Sequence, residues 1–91
     1  MPEPVIVRAT GMVRLVGSMP FYEMIISGGQ GDWYIAQEDR DLLHDLQHRI
    51  VTVEGEETVS VLRSNHGDFE ITRRELRNIR IIWVNGEVEW P

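Results

Sequence analysis

Val7, Ala9, Gly11, Val13 and Leu15 alternate with Arg8, Thr10, Met12 and Arg14. A two-residue period puts each set on its own face of a strand, so the pattern predicts one long strand over 5–17. Glycine at its middle predicts a bend or a close backbone approach. A bent first strand, paired on both sides of its bend, is what closing a small barrel requires. Gly17-Ser18-Met19-Pro20 reads as a turn. Phe21 to Ile26 and Trp33-Tyr34-Ile35 are aromatic and β-branched, with the glycine-rich stretch 27–32 between them. That arrangement predicts a hairpin with a loop longer than two residues.

The period changes at 37–49. Leu42, Leu43, Leu46 and Ile50 fall at helical spacing, acids gather early and Arg49 lies at the end. A short amphipathic helix with a narrow apolar stripe follows from the spacing, and its charges suit the helix dipole. Strand character returns over 50–54, with Gly55-Glu56-Glu57 as a bulge or tight turn, and continues over 58–63. Ser64 to Asp68 is a turn cluster and Phe69-Glu70-Ile71 a further strand. Thr72-Arg73-Arg74-Glu75 fits a capping box, which predicts one helical turn within 72–78. Residues 79–84 read as a strand. Asn85-Gly86 is a hairpin signal that would pair Trp83 with Val88 and Ile81 with Trp90.

Three strands, a helix and then more strands resemble the OB-fold, a five-stranded barrel with a helix between strands three and four. The resemblance rests on the glycine-containing strand 5–17, the hairpin 21–35, the helix 37–49 and the strands from Ile50 onward. Two features depart from it. The segment 50–84 holds three strand candidates where the fold needs two, and a hairpin at 85–91 would be an addition. Either would also suit an SH3-like or another small α+β barrel. The expected fold is mainly β with one short helix: a small OB-fold-like five-stranded barrel with an extra C-terminal hairpin. It forms a single domain over 5–91, preceded by a loose arm at 1–4. The resemblance implies recognition of oligonucleotides, oligosaccharides or proteins more than catalysis, on fold analogy alone.

Composition narrows the chemistry. A length of 91 residues suits one core. Absence of cysteine removes disulfides, thiolate metal sites and cysteine nucleophiles. All nine basic residues are arginine, so no lysine can form a Schiff base or act as a general base. The serines at 18, 27, 60 and 64 lie in no nucleophile-elbow context, and His66 near Asp68 has no nucleophile beside it. Neither an enzyme nor a cofactor is expected. A net charge of −6 argues against a strong nucleic-acid binder. No apolar run approaches the roughly 20 residues of a membrane span. Met1-Pro2-Glu3-Pro4 does not read as a secretory signal, so a cytoplasmic location is the default and an exported mature domain the other reading.

Four groups of residues deserve a functional reading beside a plain one. Tyr22, Trp33 and Tyr34 on strands two and three suit base stacking, and Arg8 and Arg14 on strand one offer cations. Against this, no arginine lies between Arg14 and Arg40, and Glu23 and Asp32 share that surface. Five arginines between 63 and 80 face only Asp68, Glu70 and Glu75. Asp41, His44 and His48 would lie within roughly 60° of each other on a helix advancing about 100° per residue. They could bind a transition metal, but a solvated polar face is the preferred reading. Gly28-Gly29-Gln30-Gly31 lacks the lysine and the helix of a phosphate cradle and reads as a hairpin loop. Glu54, Glu56 and Glu57, with Glu87 and Glu89, read as charges that deter edge pairing.

The expected function is a non-catalytic module recognising a protein or small ligand on the strand 2–3 face through Tyr22, Trp33 and Tyr34. The alternatives are single-stranded nucleic-acid binding on that face, helped by Arg8 and Arg14, and homo-oligomerisation through the 85–91 hairpin with Trp83 and Trp90. Alternation alone leaves Tyr22, Met24 and Ile26 equally eligible as the buried set.

Overall fold

The computed structural model of the chain describes residues 3–18, 20–67 and 69–85. Five strands form a closed barrel: β1 (Val5–Val16), β2 (Glu23–Gly28), β3 (Gly31–Ile35), β4 (Ile50–Arg63) and β5 (Glu70–Val84), in the order β1-β2-β3-β5-β4. All neighbours are antiparallel except β3 and β5, which meet in parallel through Tyr34 opposite Glu75 and Ile35 opposite Leu76.

The long first strand works as its pattern predicts. From Val5 to Met12 it pairs with β4, and from Met12 to Val16 with β2. Gly11 sits where β1 changes partner. A Cβ there would lie 2.9 Å from the Gly28 nitrogen and 2.6 Å from the Ser27 carbonyl carbon, so only glycine lets the two backbones cross so closely. Ala9 and Val13 point inward to meet Met24, Ile26, Trp33, Ile35, Val51, Val53, Leu76 and Ile79 in one apolar core.

Several local expectations need correction. The β2–β3 connection is a two-residue turn, Gly29-Gln30, because Gly28 pairs with Gly31 and the ladder reaches further than the glycines suggested. Gly28 is a strand residue, kept without a side chain by the Thr10 carbonyl behind it. The segment 37–49 is not one helix. It divides into a 3₁₀ turn (Gln37–Asp39), a single α turn α1 (Arg40–Leu43) and a second 3₁₀ turn (His44–Leu46). The His48 nitrogen donates to the Val13 carbonyl at 2.7 Å and the Val13 nitrogen to the Arg49 carbonyl at 2.9 Å. These bonds draw residues 48 and 49 into the barrel wall and leave too short a stretch for a stable helix. Of the expected stripe, Leu43 is fully buried and Leu46 packs against the core, whereas Leu42 is exposed.

The three strand candidates of 50–84 are two strands. The capping-box segment Thr72–Glu75 is extended and pairs residue by residue with β4, from Ser60 opposite Arg73 to Thr58 opposite Glu75. A cap is worth about 1 kcal/mol, less than the ladder and the burial of Leu76 that the strand secures. Leu76 and Ile79 both point inward although three residues apart, because Asn78 takes a left-handed conformation (φ 53°) where the register slips between Glu54 and Glu56. This bulge restores the inward phase. It lies at the Gly55-Glu56-Glu57 position where the sequence predicts one. The acids there do not guard an edge: β4 is flanked by β1 and β5 as far as Glu57.

Trp83 pairs with Thr52 and is half exposed. Residues 86–91, and with them the expected pairings to Val88 and Trp90 and the acids Glu87 and Glu89, lie outside the described residues, as do Met1, Pro2 and Asp68.

Candidate functional site

Side chains alternate on β2 and β3. Met24, Ile26, Trp33 and Ile35 enter the core, which leaves Glu23, Ser27, Asp32 and Tyr34 on the outer face beside the well-covered Ile25. The expected aromatic trio is therefore divided. Trp33 is only 3% exposed and is not a surface stacking platform. Its indole N–H donates to Glu57 Oε2 at 3.0 Å, which satisfies the one polar atom of a core side chain at the barrel end. Tyr34 faces outward and is partly exposed. Tyr22 precedes β2, is partly exposed, and its carbonyl accepts from Arg40 Nη1 at 3.4 Å.

Arg8 and Arg14 lie on the same side of β1 in sequence but on different walls in space. Arg14 stands opposite Ile25 on the β2 wall, exposed. Arg8 stands opposite Glu54 on the β4 wall, where Glu54 also holds Arg80 at 2.8 Å. The Glu54 carboxyl is held below its ordinary range by Arg80 first and Arg8 second. Only Arg14 belongs to the strand 2–3 face.

The cations that do reach the aromatics come from β5. The parallel contact brings Tyr34 beside Glu75, so two consecutive arginines of β5 flank two consecutive aromatics of β3. Arg73 lies over the Tyr34 ring and Arg74 over the Trp33 ring, each guanidinium carbon 4.0 Å from the ring centroid. Arg74 also donates to the Gln30 carbonyl at 2.6 Å. Arg73 is fixed from the other side by a two-pronged contact with Glu23, Nη1 to Oε2 at 3.0 Å and Nη2 to Oε1. Sequence reasoning placed neither arginine here. The signal is their adjacency: neighbouring residues of a strand point to opposite faces.

The Arg73 hydrogen bond lowers the Glu23 carboxyl from its ordinary 4.5, against a smaller opposing effect of burial. A carboxylate depressed in the fold stabilises it fully above the ordinary value and loses that contribution as pH falls through the folded value. Stability should therefore decline below pH 4.5 more gently in Glu23→Gln than in the unaltered protein. Denaturant unfolding at a series of acidic pH values measures this, and parallel curves would show that the pair contributes nothing.

Asp41, His44 and His48 do not share a helix face. The α turn ends at Leu43, and His48 adopts φ 69° beyond the second 3₁₀ turn. Among the described residues no group of three His, Asp or Glu side chains is placed to hold a metal ion. No helix of the described residues is long and apolar enough to cross a membrane.

A mitochondrial single-stranded DNA binding protein from S. cerevisiae superposes with a TM-score of 0.51 at 12% identity, over 89% of this chain and 97% of that one. The barrel is an OB-fold. No protein-family model matches the chain, and no curated protein sequence does either. At this identity the likeness speaks for the OB-fold alone.

Proposed function

We propose that this OB-fold protein binds single-stranded nucleic acid across the outer face of β2 and β3, without catalysing a reaction on it. The observation that carries the reading is the Arg73 guanidinium seated over the Tyr34 ring and held there by Glu23. A nucleobase can stack on a guanidinium plane as it does on an aromatic ring, and the positioned Arg73 presents one. Arg14 and Arg74 have no carboxylate partner among the described residues, whereas Arg8, Arg40, Arg63, Arg73, Arg77 and Arg80 each lie near a glutamate. Arg14, exposed on the outer face beside β2, supplies phosphate neutralisation that strands two and three lack, whereas Arg74 is engaged by the Gln30 carbonyl and the Trp33 ring. The solved neighbour with this barrel is itself a single-stranded DNA binding protein, which supports the same reading.

A protein on the same face is the alternative, and salt separates it from nucleic acid. Few free cations and a net charge of −6 make the expected affinity for nucleic acid modest and confined to low ionic strength. Titrating the labelled protein with a mixed single-stranded oligonucleotide should shift amides of residues 22–34 and 73–74, and added salt should reverse the shifts. Arg73→Ala removes the stacking plane and should weaken binding by about ten-fold, the scale of one stacked base. Absence of shifts at low salt, or indifference to Arg73→Ala, overturns the proposal.

A further inference from the structure

Beyond Glu57 the β4–β5 hairpin leaves the barrel. β1 reaches β4 only as far as Val5 opposite Glu57, and β3 touches β5 only at Glu75 and Leu76. Among the described residues, 58–63 and 70–74 pair only with each other, so this arm has two open edges. An isolated two-stranded ribbon is marginal in water. This one also exposes Val59, Val61, Leu62, Phe69 and Ile71, each 47–57% accessible. Its two edges differ. Glu70-Ile71-Thr72-Arg73-Arg74 on β5 carries three charges, which discourages another strand. Thr58-Val59-Ser60-Val61-Leu62 on β4 carries no charge, proline or glycine. Natural edges are normally guarded by such residues.

We propose that this β4 edge is a self-association surface, pairing antiparallel with the same edge of a second copy about a two-fold axis. A two-fold through the sheet pairs residues of like face. Centring the register on Val61 pairs 59–63 of each copy with 63–59 of the other, so the paired segment stops two residues short of the Glu57 that Val5 already faces. Each Arg63, whose Nε holds Glu70 at 3.0 Å, then stands opposite Val59 of the other copy and its Nη groups lie diagonal to that copy's Glu57, whose Oε1 is left over from the bond to Trp33. Symmetry makes this opposite-charge contact twice, and Val61 meets Val61 at the centre. Nucleic acid is the poorer occupant of this edge, because residues 58–62 hold no cation for a phosphate.

Sedimentation equilibrium of the full chain without nucleic acid, from low micromolar to near-millimolar concentration, tests the proposal separately from the binding reading. The mass should rise from 10.6 kDa to twice that value. Val61→Lys and Leu62→Lys, both at exposed positions outside the core, should each remain at 10.6 kDa with the barrel amide spectrum retained. A wild-type chain that stays at the single mass overturns the proposal. So does a dimer that survives both substitutions, which would place self-association on another surface, such as the C-terminal segment.

Discussion

Gly28→Ala is expected to cost about 3 kcal/mol or more, because its Cβ would sit well inside contact with the Thr10 carbonyl oxygen and 3.3 Å from the Gly11 Cα. A crowded side chain can rotate away, but a carbonyl in a ladder moves only if the strands part. Here the strands are β1 and β2 at the point where β1 changes partner, so parting them opens the barrel. In a domain of this size such a loss lowers Tm by more than about 10 °C. Gly29→Ala is the control. Nothing lies within 4 Å of its added carbon, and the expected change is within about 0.5 kcal/mol. Thermal unfolding of the two variants side by side makes the comparison. Equal melting temperatures would mean that the close crossing of β1 and β2 does not constrain the fold.

The second large effect concerns two adjacent leucines. Leu43 is fully buried, the only buried side chain contributed by α1, whereas Leu42 is 52% exposed. Leu43→Ala removes core atoms and leaves a cavity, and should cost about 2–5 kcal/mol. Leu42→Ala should change stability by less than about 0.5 kcal/mol. A regular amphipathic helix with an apolar stripe would make both substitutions costly. The midpoint of urea unfolding for each variant therefore decides between one plug and a stripe, and similar losses at both positions would restore the helix.

Much of this architecture is legible where a single local pattern runs unbroken. The alternation of Val7 to Leu15 around Gly11 predicts both the first strand and its change of partner. The reading fails where two signals share a segment. Leu76 and Ile79 are spaced as on a helix, yet both face inward because Asn78 bulges between them. The Thr72 capping box is a valid local signal that long-range pairing overrides. Leu42 and Ile50 complete a stripe on paper, but the bonds of His48 and Arg49 to Val13 end the helical stretch first.

The candidate site was legible in part, for a different reason. Tyr34 and Arg14 do lie on the outer face of the strand 2–3 wall. Trp33 does not, since its strand phase turns it into the core. Arg73 and Arg74 reach the aromatics through a parallel contact between segments some forty positions apart, and no periodicity encodes such a contact. On a strand over 70–76 two adjacent arginines point to opposite faces, as Trp33 and Tyr34 do on β3.

The barrel is closed between β3 and β5 by two residue pairs, whereas β4 and β5 are joined over most of their length. Closure is therefore uneven, and the shortest seam is the cheapest place for local opening. Arg73 and Arg74 straddle that seam, one on each side of β5, stacked on residues of β3. A strand of bases held by both elements would act as a clasp and slow the exchange of the seam amides with solvent. The coupling runs both ways. Any change that loosens the seam weakens the clasped state, even at residues that never touch what is bound.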